Sequence, residues 1–297
     1  MKNALQIYRE LAKSGIVALV LISVLGGYLC GHPFERPLDW AHLALTLAAI
    51  FLLAAGSSAL NQVQEMAVDA TMPRTAKRPL PSGRISRRHA LGFCTVTIAA
   101  GLLLLARLGP ELFWLGVAAL LSYNGLYTLW WKRHWAFAAV PGAIPGALPI
   151  LMGHAAAAGE LWTRGGLYLF FVLFYWQMPH FWSLAIRFRE DYSAGGFPTL
   201  PVARGVAQTR FHTTIWSLSY IALGLSAPLF LRTGWIYFTI SLLTGGKVLW
   251  ELRKYLQATA SDTQGDASAA TKHWLPFFLW INFSLIFYVF GAVADLW

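Results

Sequence analysis

Apolar runs of about 20 residues, separated by short polar connectors, recur along the whole chain. Coiled as helices, runs of that length match the hydrocarbon thickness of a bilayer. A backbone crossing lipid must satisfy its own N–H and C=O groups, so each run has one inexpensive solution, a transmembrane helix. Composition agrees: 57% of the 297 residues are hydrophobic and 12% are charged, half the charged fraction of about 25% usual in soluble domains. Nine spans are expected: Gly15–Gly31, Trp40–Leu60, His89–Ala106, Glu111–Trp130, Phe137–Ala157, Gly166–Ile186, Thr213–Leu231, Gly234–Leu252 and Trp274–Leu296. The implied fold class is all-α, a polytopic membrane helix bundle around a central cavity. The fifth span carries Pro141, Pro145 and Pro149, so a kink or break is expected there, tolerable among neighbouring helices. No connector is long enough for a soluble domain, so residues 1–297 are expected to form a single domain in the lipid bilayer. The longest hydrophilic stretches are Asp69–Arg88, Phe188–His212 and Gln257–Lys272, the last reading as a flexible linker from its Ala, Ser, Thr and Asp content.

A net charge of +10 raises the question of nucleic acid, but the basic residues punctuate apolar runs, and topology accounts for them better. Of 23 Lys and Arg residues, only Arg36, Arg107, Arg164 and Arg232 fall on the side opposite the N-terminus. The positive-inside bias therefore puts the N-terminus in the cytoplasm, and a multi-pass protein of the inner membrane is expected. Lys2, Arg9 and Lys13 before the apolar run Ile16–Cys30 resemble a signal peptide, yet no clean small-x-small site follows, so an uncleaved first span is expected. Cys30 and Cys94 sit in apolar stretches without metal spacing and read as packing residues.

The chain has 13 acidic residues, and Glu65, Asp69, Glu190 and Asp191 lie at the cytoplasmic ends of spans two and six. Two similar halves, each offering a polar helix end to one shared cavity, are suggested. Asn61, Glu65 and Asp69 follow at i, i+4 and i+8, so three oxygen-bearing side chains share one helix face. Mg²⁺ takes hard oxygen ligands, usually one or two carboxylates plus substrate phosphate. Arg74, Lys77 and Arg78 follow within one loop, placed to grip phosphate oxygens. A topology-setting basic loop explains those cations, but it does not explain carboxylates near membrane depth, which are costly and usually functional.

Two further constellations are weaker alone. Tyr127-Thr-Leu-Trp-Trp-Lys132-Arg133 closes span four; Tyr127, Lys132 and Arg133 can reach a phosphate, or can belong to an interfacial aromatic belt. Trp176-Gln177-Met-Pro-His180 runs on to Arg187 and Asp191, with Gln177, His180, Arg187 and Asp191 at offsets of one helical stripe. Polar groups inside an apolar span need partners, so His180 either bonds within the protein or meets a substrate or its metal.

With these residues in view, the chain resembles the UbiA superfamily of intramembrane prenyltransferases, and within it the branch that farnesylates haem. The similarity runs from span one to span nine. It is densest in Asn61–Gly83 with Met-x-Arg-Thr-x-x-Arg-Pro-Leu, in Tyr127–Arg133, and in Trp176–Val202 with Trp-Gln-x-Pro-His and Asp-Tyr-x-Ala-Gly. The acidic motif is common to the superfamily, whereas Gln-x-Pro-His and Arg-Thr-x-x-Arg-Pro point to the haem branch. Two departures stand out: Glu65 occupies a position where that branch often has Asp, and Ala67 one where it carries a further acid. The second motif keeps Asp191 but lacks the multiple aspartates of quinone-type relatives.

The resemblance implies farnesyl diphosphate and haem b as substrates and Mg²⁺ as cofactor. Asn61, Glu65, Asp69 and Asp191 would hold the metal, and Arg74, Lys77, Arg78, Tyr127, Lys132 and Arg133 the diphosphate. Gln177 or His180 would orient the haem or the water that completes the reaction. A downstream haem-modifying enzyme or terminal oxidase is the implied partner, and no nucleic acid is.

Three alternatives stay open on sequence. A related enzyme would prenylate an aromatic acid or quinone precursor. A transporter would also use broken helices about a polar centre, but would bury its charges nearer mid-membrane. A non-catalytic haem-binding assembly protein is encouraged mainly by Ala67.

Overall fold

The computed structural model describes residues 4–261 and 267–296, with side chains outside 260–272. All regular structure among them is helical. A short amphipathic α1 (Ala4–Leu11) precedes α2 (Ser14–Gly31), α3 (Trp40–Asp69) and α4 (Arg87–Leu108). Next, α5 (Pro110–Leu120) continues as a π-helical stretch, Leu121–Trp131, and closes in α6 (Lys132–His134). Then come α7 (Ala139–Ala158), α8 (Arg164–Arg187), the short α9 (Arg189–Ala194) and α10 (Leu200–Ala203), α11 (Gly205–Leu225), α12 (Trp235–Ser261) and α13 (Ala267–Leu296).

Seven of these segments are long and apolar enough to cross a membrane by length and composition. The other two of comparable length, α11 and α12, fall short in apolarity. The first half of α11 holds Gln208, Thr209, Arg210 and His212, and α12 holds Lys247, Glu251, Arg253 and Lys254. The expected count of nine spans therefore does not rest on apolarity alone. The seventh span is also displaced: its helix starts earlier than expected and ends at Leu225, because Pro228 in the following turn stops it. The stretch Gln257–Lys272 is helical on both sides of 262–266, which lie outside the described residues.

The buried side chains form two main clusters. One joins α2, α3, α4, α5 and α7 around Val24, Ile50, Leu105 and Met152. The other joins α8, α11, α12 and α13 around Leu169, Tyr220, Phe277 and Val289. Residues of α7 enter both, since Ala147 and Ile150 face the second cluster while Leu148 and Leu151 face the first. A helix pressed on all sides needs small side chains, and 13 of the 20 residues of α7 are Ala, Gly or Pro. The expected kink does not break it. Pro141 falls in the first turn, where an N–H has no intrahelical partner anyway, and Pro145 and Pro149 lie inside an unbroken helix. Outward-facing Leu19, Leu103 and Leu243 are more than half exposed, as suits a lipid-facing surface. Cys30 and Cys94 are free thiols.

Among the glycines, the closest approaches to another helix's backbone are between α2 and α7. A Cβ on Gly27 would lie 2.2 Å from the Ile150 carbonyl oxygen, and one on Gly153 would lie 2.2 Å from that of Val24. Backbone cannot yield as a side chain can. Gly153→Leu should therefore cost about 3 kcal/mol, the upper part of the overpacking range, read as a lowered Tm in detergent. Gly92→Leu, where a Cβ meets nothing within 4 Å, should leave Tm unchanged.

Candidate active site

A buried polar ladder joins α3 to the end of the fourth span. Ser57 Oγ donates to Asn124 Oδ1 (2.5 Å), Asn61 Nδ2 to Thr128 Oγ1 (3.1 Å) and Glu65 Oε1 accepts from Lys132 Nζ (2.7 Å). All three rungs join residues 67 apart, so the two helices run parallel and in register. The π-winding of Leu121–Trp131 presents Asn124, Thr128 and Lys132 as one face; such windings recur at functional sites. Asn124 adds bonds to the Ser57 carbonyl (3.0 Å) and to Gln64 Oε1 (3.2 Å), and accepts at its own carbonyl from Gln64 Nε2 (3.0 Å).

The ladder ends in a group of carboxylates, each held by a cation. Asp69 is 1% exposed and accepts on both oxygens from one Arg78 nitrogen, at 2.8 and 2.7 Å. Asp191 lies 3.7 Å from Arg74 Nε. Arg74 and Arg78 stand four residues apart in one loop, so the acids of spans two and six meet at one end of the bundle. The expected single stripe through Gln177, His180, Arg187 and Asp191 is interrupted, because α8 ends at Arg187 and Asp191 rides on the separate α9. Phe188, between them at φ −111° and ψ 32°, breaks the helix. Around Arg74 the rings of Phe188 and Tyr192 lie 5.1 and 5.8 Å from its guanidinium carbon, and Phe197 lies 4.4 Å beneath the Lys132 ammonium.

Lys13 belongs to this group, although its position among N-terminal basic residues marked it only as a topology signal. Its Nζ donates to Asn61 Oδ1 at 2.6 Å. The chain reaches this geometry through a left-handed turn at Lys13 itself, φ 52°, a conformation that costs a non-glycine residue about 1–2 kcal/mol. Gln62 stabilises the break by donating to the Glu10 and Leu11 carbonyls, 2.9 and 2.8 Å, at the end of α1. Burial first, and then the nearby Arg78 charge, push the Lys13 ammonium down to about 7, against the opposing pull of Glu65.

The remaining expected residues divide. Lys77 is exposed, its carbonyl taken by Arg84 (2.7 Å). Arg133 donates to the Gln64 carbonyl at 3.4 Å, apart from the carboxylates. The Tyr127 ring stacks on Tyr123, centroids 6.0 Å apart, and lies against Gly142 of α7. Gln177 Nε2 donates to the carbonyls of Ala143 (3.0 Å) and Leu173 (3.2 Å), fastening α8 to α7. His180 is held between the rings of Trp176 and Phe278, centroids 4.7 and 4.9 Å away. Its Nδ1 is buried and has no hydrogen-bond partner among the described residues.

Three carboxylates, Glu65, Asp69 and Asp191, thus face four cations, Lys13, Arg74, Arg78 and Lys132. Such a site is electrostatically ready for a polyanion whose charge is partly balanced by metal. Among the described residues no three His, Cys, Asp or Glu side chains converge as a metal cage. The oxygen donors fit a cation that arrives with phosphate oxygens completing its shell, and do not fit a resident ion held by protein alone.

A helical membrane bundle with acid-and-base-lined ends of two half-bundles meeting at one face is the class this fold and site define. The sequence profile of the UbiA prenyltransferase family matches residues 20–282, and the chain belongs to that family. A protoheme IX farnesyltransferase of Bdellovibrio bacteriovorus is 45% identical over 294 residues, covering 99% of this chain and 97% of that one. The enzyme of the same name from Aquifex aeolicus is 37% identical over 243 residues, 82% of each chain. Among solved structures, a digeranylgeranylglyceryl phosphate synthase has the same fold, with TM-score 0.77, 19% identity, and 98% and 99% of the two chains covered. A UbiA homologue from Archaeoglobus fulgidus bound to GPP and Mg²⁺ also has it, with TM-score 0.69, 19% identity, and 97% and 99% covered. The chain is an integral multi-pass membrane protein and an enzyme of the prenyltransferase type.

The pairing of Asp69 with Arg78 yields a two-part test. Arg78→Met strands a buried carboxylate and should cost about 3 kcal/mol, seen as a lower Tm in detergent. Adding Asp69→Asn should restore most of that loss while leaving kcat lowered by at least on the order of 10²–10³. Recovery of turnover in the double variant would contradict a role for Asp69 beyond structure.

Proposed function

We propose that the chain transfers farnesyl from farnesyl diphosphate to a vinyl group of haem b, giving haem O, in a Mg²⁺-dependent reaction. The observation that carries this is the one-to-one pairing of Lys13, Lys132, Arg78 and Arg74 with Asn61, Glu65, Asp69 and Asp191. Oxygen donors and cations that neutralise each other before substrate arrives can separate when it binds. A relative named protoheme IX farnesyltransferase, 45% identical over 99% of this chain, supports haem as acceptor.

In this reading Asn61, Glu65, Asp69 and Asp191 would hold a Mg²⁺ that arrives with the diphosphate. The metal, when bound, supplies Lewis-acid neutralisation of the leaving group. Arg74, Arg78, Lys132 and Lys13 release their carboxylate or amide partners and donate to diphosphate oxygens, with Lys77 at the exposed rim. Tyr127 and Arg133 then act at second remove, Tyr127 by packing the π-helical stretch on α7 and Arg133 by fixing the Gln64 carbonyl. Heterolysis of the farnesyl C1–O bond leaves its electron pair on diphosphate, where the preorganised cations are most effective. The terminal carbon of the haem vinyl group bonds to C1. Water adds to the cation left beside the macrocycle and releases a proton.

The apolar helices exclude bulk water from the allylic cation. Of the two residues expected to orient the acceptor, His180 has a ring nitrogen with no hydrogen-bond partner among the described residues. Gln177 serves by locking α8 to α7. The same end of the bundle carries most basic residues, which supports an N-terminus in the cytoplasm and an inner-membrane location, with diphosphate leaving on that side. A terminal oxidase or a further haem-modifying enzyme would receive the product.

Purified protein given haem b, farnesyl diphosphate and Mg²⁺ should yield a product with the mass of haem O, and EDTA should abolish it. Asp69→Asn and Asp191→Asn should each lower kcat by on the order of 10²–10³. A prenylated phenol from a quinone precursor, with no haem product, would overturn the haem assignment.

A further inference from the structure

The two helices that fall short in apolarity frame a feature outside the active site. Because α11 leans on α8 and α12 leans on α13, a groove of about 400 Å³ opens between α11 and α12. Its walls are Leu218, Leu249, Leu252 and Leu256, and its mouth holds Arg210 and Arg253. Leu218 and Leu249 are 48% and 39% exposed, so the groove opens to the bilayer-facing surface. Arg210 lies about 12 Å from Leu218 along α11 at the helical rise. Arg210 Nη2 donates to the Leu256 carbonyl at 2.5 Å, which fixes both arginines at the same end of the two helices.

The guanidinium at the mouth is incompletely satisfied. Arg210 Nε is buried with no hydrogen-bond partner among the described residues. Neither Arg210 nor Arg253 forms an ion pair among them, and the nearby acid Glu251 is bound to Lys247 at 2.6 Å. Two unneutralised cations above an apolar channel that faces lipid match one chemistry, a phosphate diester that carries acyl chains and a net negative charge.

We propose that this groove binds an anionic phospholipid, with its phosphate between Arg210 and Arg253 and an acyl chain along Leu218, Leu249 and Leu252. The bound lipid neutralises the two guanidinium groups at the mouth and fills the gap between α11 and α12. A soluble phosphate could meet the arginines but would leave the apolar walls uncovered.

Native mass spectrometry of the delipidated full chain tests this with phosphatidylglycerol, phosphatidylcholine and inorganic phosphate as probes. Phosphatidylglycerol should be retained and phosphatidylcholine should not. Arg253→Met, at an exposed residue, should weaken retention about fivefold, and Arg210→Met with Arg253→Met roughly 25-fold, at about fivefold per basic residue. Leu249→Trp, which keeps both charges and fills the wall, should also release the lipid. Equal retention of the two lipids, unchanged retention in Arg253→Met and Leu249→Trp, or displacement of phosphatidylglycerol by an equal concentration of phosphate would each overturn the proposal.

Discussion

Charge inside a low-dielectric bundle must be partnered, and that requirement organises the functional end of this molecule. Glu65 and Asp69 are 2% and 1% exposed, and an isolated carboxylate so placed would be prohibitively costly. Each is therefore held at 2.7 Å by a cation from another segment, Lys132 or Arg78. Those segments are fixed in turn by neutral hydrogen bonds, the Ser57–Asn124 and Asn61–Thr128 rungs and the Gln62 bonds to the end of α1. In the proposed mechanism stability and function use the same contacts, since the cations that neutralise the carboxylates before substrate binds would be the ones to take up its phosphates.

The half-bundles converge on this arrangement without making it symmetric. The first half contributes a long helix, α3, whose last turns stay regular and carry Asn61, Glu65 and Asp69. The second half breaks its helix at Phe188 and places a single acid, Asp191, on a short helix, with aromatic rings around Arg74. The thinner second motif leaves Asp191 more exposed and its pairing looser, 3.7 Å against 2.7 Å for Asp69. Between the halves, α7 packs on both and limits how far they can move apart.

Helical spans were legible in the sequence because burial in lipid leaves the backbone only one choice, and most helices match their expected positions to within a few residues. The i, i+4, i+8 spacing of Asn61, Glu65 and Asp69 was equally legible, since it needs only helical periodicity. The π-winding of Leu121–Trp131 was not, because it depends on tertiary partners: Asn124 and Thr128 are unremarkable until Ser57 and Asn61 are placed opposite them. Lys13 was hidden for a related reason. A basic residue before a first span is ordinary topology, and only the left-handed turn and the Gln62 bonds bring it inward. Arg133 shows the converse: it adjoins Lys132 in sequence, yet the helix turns it to the Gln64 carbonyl.

The central proposal is that Arg78 and Lys132 exchange their carboxylate partners for phosphate oxygens when diphosphate binds. A structure with Mg²⁺ and a non-hydrolysable farnesyl thiodiphosphate is the most direct measurement. The account predicts Arg78 and Lys132 on phosphate oxygens, with Asp69 and Asp191 freed toward the metal from opposite halves. Intact Arg78–Asp69 and Lys132–Glu65 pairs with the diphosphate bound elsewhere would contradict it.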